Sequence, residues 1–222
     1  MTTAQKPFEI ISTLPPNLQP TAERLVAFIS PHVQSTNGSK LFNWSSFKNA
    51  VDDYEGVELV IGGFHSPSAS KTPFNSLPSQ CAGHIVKPLS MPIAEDDITP
   101  VLKRALVNLK AAKENGWASF KEVSEGHTKP GSFPLYRSTT VPPVNGWEYR
   151  ALVLAENRSQ TSDFIAMVVT IFITSSKHPK EEDWFNLDEG SSEEMTLDLK
   201  SMKLAVEPGF QGEKDSVYAR LS

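Results

Sequence analysis

Residues 163–175 read Asp-Phe-Ile-Ala-Met-Val-Val-Thr-Ile-Phe-Ile-Thr-Ser. Ile165, Val168, Val169, Thr170, Ile171, Phe172 and Ile173 are β-branched or aromatic, types that suit a pleated surface better than a helix. The stretch therefore reads as a strand. Side chains alternate across a strand, so Phe164, Ala166, Val168, Thr170 and Phe172 share one face and Ile165, Met167, Val169, Ile171 and Ile173 the other. Both faces are apolar, which predicts the centre of a sheet covered on each side. Eleven residues at about 3.3 Å each reach roughly 36 Å, enough to cross a bilayer when tilted.

The neighbouring strands follow from the same alternation. Residues 147–154 put Trp147, Tyr149, Ala151 and Val153 on one face and Glu148, Arg150, Leu152 and Leu154 on the other. The polar run 156–162 predicts an antiparallel connection from there to the central strand. The last strand, 195–207, carries Met195, Leu197 and Leu199 in one phase and Met202, Leu204 and Val206 in the other. That change of phase predicts a β-bulge near Lys200 and Ser201. Weaker strands are expected at 57–61, ending at Gly62-Gly63, at 117–123 and at 133–141. Residues 177–194 are polar around Trp184, Phe185 and Leu187, with room for one helical turn.

Helices are marked by period and by caps. Ala22, Leu25, Val26 and Ile29 follow Pro20-Thr21 at helical spacing, and Pro31 ends the run. Asn43 is placed to cap a second helix whose stripe is Trp44, Phe47, Val51 and Tyr54, with Gly56 as its stop. A third is read from Thr99 to Asn115, with Leu102, Ala105, Leu106 and Leu109 as its apolar face and Gly116 as its end. Six prolines between Pro67 and Pro100 predict that residues 64–97 are extended and loop-rich. Pro88 and Pro92 argue against a regular helix over 83–92. Residues 1–19 read as an extended arm and 211–222 as a loose tail. Helices on both sides of a mostly antiparallel sheet make a three-layer α/β/α sandwich, expected as one domain over all 222 residues.

Charge and motifs exclude several classes of function. A net charge of -5 without a Lys/Arg cluster argues against a nucleic-acid surface. One cysteine leaves no internal disulfide, and residues 1–9 lack the apolar core of a signal peptide. These features fit a soluble protein, cytoplasmic or released by a non-classical route. Cys81 and His84 are spaced C-x-x-H but lie in a stretch read as flexible, without an oxyanion turn. His178 with Glu181 and Glu182 reads as a solvated charged loop rather than a metal site. Neither a catalytic set, a metal nor a cofactor is expected.

Four blocks in register resemble a known family: 41–56 (Leu-Phe-Asn-Trp-Ser-Ser-Phe-Lys-Asn-Ala-Val-Asp-Asp-Tyr-Glu-Gly), 146–154 (Gly-Trp-Glu-Tyr-Arg-Ala-Leu-Val-Leu), 168–174 (Val-Val-Thr-Ile-Phe-Ile-Thr), and the spaced apolar residues of 197–210. They are similar to the Cyt-type δ-endotoxins, most closely the fungal volvatoxin-like branch. The resemblance implies an α/β domain with a sheet wrapped by two helical layers, and a membrane-active cytolysin acting directly on phospholipid bilayers at the target cell, where copies of the chain assemble. On it, the candidates for membrane insertion are Trp147, Tyr149, Leu152, Leu154, Phe164, Ile165, Met167, Val169, Ile171, Ile173, Leu197, Leu199 and Leu204. The detachable helix faces are Trp44, Phe47 and Val51, and Leu102, Leu106 and Leu109. Trp147, Tyr149, Trp184 and Phe185 are candidate interfacial anchors. Glu148, Arg150, Asp198 and Lys200 are candidates for a water-facing barrel wall. An ordered barrel and a detergent-like disruption stay level at this point. The family's helical pair on the second face is matched here by only one clear helix, which leaves open a non-lytic lipid- or protein-binding module of the same fold.

Overall fold

A computed structural model describes residues 6–36, 38–122, 145–157 and 164–212. In chain order the elements are β1 (Glu9–Ser12), α1 (Gln19–Ile29), β2 (Val33–Thr36), β3 (Ser39–Phe42), α2 (Trp44–Asp52), β4 (Leu59–His65), β5 (Ser70–Pro73), α3 (Leu77–Val86), α4 (Glu95–Val107), α5 (Leu109–Glu114), β6 (Ala118–Lys121), β7 (Gly146–Glu156), β8 (Phe164–Thr174) and β9 (Glu194–Val206). Single 3-10 turns lie at Pro16–Leu18, Ser30–His32, Phe74–Ser76 and Glu181–Asn186. The strand expected at 133–141 and nearly all of the expected 211–222 tail lie outside the described residues.

The sheet runs β1-β7-β8-β9-β4, with β6 also on β7 and β5 also on β9. β8 is central, antiparallel to β7 and β9 along its whole length. One face of the sheet packs on α3, α4 and α5, the other on α1 and α2. The α/β/α sandwich expected from the sequence is the architecture found.

Several local expectations change. The arm at 1–19 is not merely draped on the body: Glu9–Ser12 pairs in parallel with Ala151–Leu154 of β7 and becomes a sheet edge. Within 64–97, β5 and α3 replace the expected loop. The prolines permit this because Pro78 occupies the first turn of α3, where its missing N–H is not needed, and Pro88 follows the helix end. α4 begins at Glu95 rather than at a Thr99 cap. Glu95, Asp96 and Asp97 sit in its first turn, where carboxylates complement the helix dipole. Pro100 falls inside it, and the run to 115 breaks at Asn108, which starts α5 by accepting from the Ala111 N–H at 3.1 Å. Gly116, at φ +86°, closes that helix as expected. Asn43 caps α2 through Ser46 N–H at 2.9 Å, but α2 stops at Asp52, short of Gly56.

The phase change in β9 is not a bulge. Register with β8 is unbroken from Phe164↔Val206 to Thr174↔Thr196. The strand is continuous, and its apolar residues swap faces because the α1/α2 cover and the α3/α4 cover each protect a different part of it. The irregularity lies next door in β4, which runs through Gly62-Gly63 instead of ending there and shifts register between Ile61 and Gly63. At Gly63, φ is +151°, a backbone conformation that favours glycine; a Cβ there would meet the flexible end of Leu89, with Cδ2 2.8 Å away. The β2-β3 hairpin was missed by periodicity, although Asn37-Gly38 is a strong turn pair and Gly38 has φ +83°.

Candidate functional site

β7, β8 and β9 contain 11, 11 and 13 residues and hydrogen-bond to one another as a three-stranded ribbon. Cross-strand rows give its two faces different chemistry. Toward α3 and α4 the rows are Trp147-Ile173-Leu197, Tyr149-Ile171-Leu199, Ala151-Val169-Ser201, Val153-Met167-Lys203 and Ala155-Ile165-Ala205. Every β7 and β8 member of that face is apolar. Toward α1 and α2, half the rows are apolar but for the exposed Glu156 at the ribbon's end: Leu152-Val168-Met202, Leu154-Ala166-Leu204 and Glu156-Phe164-Val206. The other half is polar: Gly146-Thr174-Thr196, Glu148-Phe172-Asp198 and Arg150-Thr170-Lys200.

Every residue expected to enter a membrane is buried. Trp147, Tyr149, Ile165, Met167, Val169, Ile171, Ile173, Leu197 and Leu199 lie under α3, α4 and α5, while Leu152, Leu154, Phe164 and Leu204 lie under α1 and α2. The helix faces named for detachment point where they must. Leu102, Leu106 and Leu109 join the first cluster and Phe47 and Val51 the second. Trp44 is half-buried at the margin, its Nε1 donating to Thr170 Oγ1 at 2.9 Å. Among the described residues the directional bonds from helix to sheet include Trp44 to Thr170, the Arg104–Glu9 ion pair at 2.7 Å between α4 and β1, and Gln80 of α3 with Ser70 and Thr72 of β5.

No protein-family model and no curated sequence matches the chain. Solved structures do. The chain is similar to the activated Cyt2Ba monomer from Bacillus thuringiensis subsp. israelensis, with TM-score 0.66 and 12% identity over 90% of this chain and 97% of that one. It is also similar to a structure described as a delta-endotoxin, with TM-score 0.69 and 10% identity over 93% and 85% of the two chains. The fold is that of the Cyt-type δ-endotoxins. At such identity the likeness concerns architecture. In this chain α3 lies beside α4 on one face of the sheet, a second helix where the sequence predicts none.

Within this Cyt fold, other sequence-named residues take different roles from those expected. The candidate anchors Trp147 and Tyr149 are 0% exposed, and Trp184 is 2% exposed with Nε1 donating to the His178 carbonyl at 2.9 Å. They are core, because the sheet and the 181–186 turn close over them; Phe185 alone of the four is exposed. Cys81 is buried on α3, and burial pushes its thiol up to about 12, which leaves no nucleophile. His84 stacks on His65 with ring centroids 5.7 Å apart. His178 pairs with Glu193 at 2.9 Å rather than with Glu181 or Glu182, and Glu181 pairs with Lys113. Among the described residues no three or more His, Cys, Asp or Glu gather as a metal site.

Glu148 and Arg150, expected on a wet wall, form a buried pair at 3.0 Å. Arg150 also donates to the carbonyls of Pro7 (3.0 Å), Lys40 (2.7 Å) and Gly116 (2.9 Å), and Glu148 accepts from Phe42 N–H at 2.8 Å. One guanidinium thus ties the start of β1, the β2-β3 hairpin and the turn before β6 onto β7. Burial pushes the Glu148 carboxyl above the usual range, against the opposing pull of the guanidinium. Removing one partner strands the other's charge, so Arg150→Met should cost about 3–5 kcal/mol in urea unfolding. Adding Glu148→Gln, which keeps an acceptor for Phe42 without the charge, should restore part of that loss. A double variant no more stable than Arg150→Met would show that the pair is not what Arg150 holds.

Proposed function

We propose that this chain is a membrane-active cytolysin: on a phospholipid bilayer the helical layers leave the sheet and the β7-β8-β9 ribbon enters the lipid. The observation that carries this reading is the independence of the ribbon from its covers. The inner ladder, β8 with β7 and β9, needs no helix, and the outer edges of β7 and β9 pair with β1 and β6 and with β4 and β5, whereas the helices hold the ribbon mainly by apolar contact. Such contact is non-directional, so lipid can take the helices' place without breaking the ladder. Each large side chain buried against a helix gains about 1.5–3 kcal/mol over water, and lipid returns a similar amount. The helices' own stripes, freed from the sheet, suit the interface.

The difference between the faces supports an ordered wall over a detergent-like action. The face under α3 and α4 suits lipid along its length, while the rows of Glu148, Arg150, Asp198 and Lys200 suit water. An inserted sheet with open edges leaves N–H and C=O groups unpaired, and each such group costs several kcal/mol in hydrocarbon. Copies of the chain joining edge to edge remove that cost, which is the physical reason to expect a homo-oligomer on the membrane. Within the Cyt fold we also propose that the chain lies nearest the fungal volvatoxin-like branch, on the four sequence blocks at 41–56, 146–154, 168–174 and 197–210.

Purified protein at micromolar concentration should release dye from phosphatidylcholine vesicles. An engineered disulfide tying α4 to the sheet should block release until it is reduced; the buried Cys81 thiol will not compete for pairing. Intact vesicles at that concentration, or equal release by the oxidised tethered form, would refute the reading. In planar bilayers Lys200→Glu, at a half-exposed position, should shift the current toward cations if its row lines a water-filled wall. Unchanged selectivity would point to disordered disruption instead.

A further inference from the structure

Four of the five large hydrophobic side chains exposed among the described residues lie on or just before one strand, on both of its faces: Val57, Val60, Ile61 and Phe64 are 75%, 53%, 36% and 52% exposed, and Phe185, at 41%, stands apart. Three of the four lie on β4, an edge strand of the sheet. Ile61 and Phe64 sit opposite Leu204 and Met202 and so face the α2 side, where the Phe64 ring packs edge-on against Trp44 with centroids 5.6 Å apart. Trp44 in turn reaches the central strand through Thr170. An exposed apolar edge thus touches the helix that covers one side of the ribbon.

We infer that this β4 edge, with Ile61 and Phe64 at its centre and Trp44 at its rim, is where the protein first docks on a phospholipid membrane. The inference rests on the cytolytic reading and adds its point of entry. Three observations favour lipid over a protein partner. The register shift at Ile61/Gly63 distorts the edge, a device that blunts strand-to-strand pairing between chains. Four exposed apolar side chains are far fewer than the roughly 20–30 residues a side of a standard protein interface, whereas a lipid surface demands no matching shape. An aromatic ring with an engaged polar tip beside aliphatic side chains is the composition of a membrane-interface anchor. The charge around the patch is mixed: Asp52, Asp53, Glu55 and Glu58 precede β4, while Lys203 stands opposite Gly63 and half-exposed Lys200 lies two residues from Met202, the partner of Phe64. The apolar side chains therefore set the docking, not the headgroup charge.

The test is flotation with phosphatidylcholine vesicles, alone and with phosphatidylserine added, with dye release measured in parallel. Ile61→Ser with Phe64→Ser should lower binding to phosphatidylcholine by about tenfold or more, with an unchanged urea midpoint, while Phe185→Ser binds as the parent does. The double variant should lose binding to both vesicle compositions, because the contact is apolar. Should the double variant prove unstable, a polarity-sensitive dye attached through Val57→Cys replaces it, and its emission should shift to the blue on vesicles. Parent-like binding and release by the double variant, or no dye shift, would overturn the docking site and leave the cytolytic reading standing. Binding without release would do the reverse. A parent chain that is dimeric in solution, with a monomeric double variant, would show that the patch joins two copies and overturn the inference.

Discussion

A strand apolar on both faces cannot be half-wet, and that single demand organises the molecule. β8 sits between two long antiparallel partners, which satisfy its backbone, and between two helical layers, which satisfy its side chains. The two kinds of satisfaction are physically different. Ladder hydrogen bonds are directional, and those of β8 run only to β7 and β9; cover by helices is a non-directional apolar contact. The proposed function uses that difference: lipid would replace the cover while the inner ladder persists.

The two flanks of the ribbon are held unequally. On the β7 side, Arg150 draws backbone carbonyls from three separate segments onto one buried charge, and Glu9 accepts from Tyr149 at 2.6 Å while pairing with Arg104. On the β9 side, β4 is irregular and exposed, and its link to the α3–α4 connection is Lys203 Nζ donating to the Leu89 carbonyl at 2.7 Å. Directional bonds over burial resist opening; exposed backbone and sparse cover favour it. On the proposed reading the flank carrying the exposed apolar residues opens first, so docking and loosening would fall on the same side of the sheet.

The fold was legible in the sequence where burial imposes a period. The alternation in 147–154 and 163–175, the stripe of α1 and the Asn43 cap of α2 all place correctly, because core packing permits few other readings. Prolines misled where their position mattered more than their number: Pro78 and Pro88 bracket α3 rather than break it. Glu148 and Arg150 looked wet because their partners, the carbonyls of Pro7, Lys40 and Gly116, are far away in sequence and carry no pattern of their own. Trp147 and Tyr149 failed as anchors for a related reason: sequence shows an aromatic residue but not the cover above it. The apolar residues of β4 could have been noticed as a strand with hydrophobic side chains in both phases, and only the structure shows them bare.

The account turns on whether the cover leaves while the ribbon stays whole. Spin labels attached through Lys103→Cys on α4 and Lys200→Cys on β9 report the distance between helix and sheet directly. On phosphatidylcholine vesicles that are leaking dye, the account predicts a longer and broader distance distribution than in solution, by more than about 10 Å, the spacing of packed layers. An unchanged distance during leakage would contradict it.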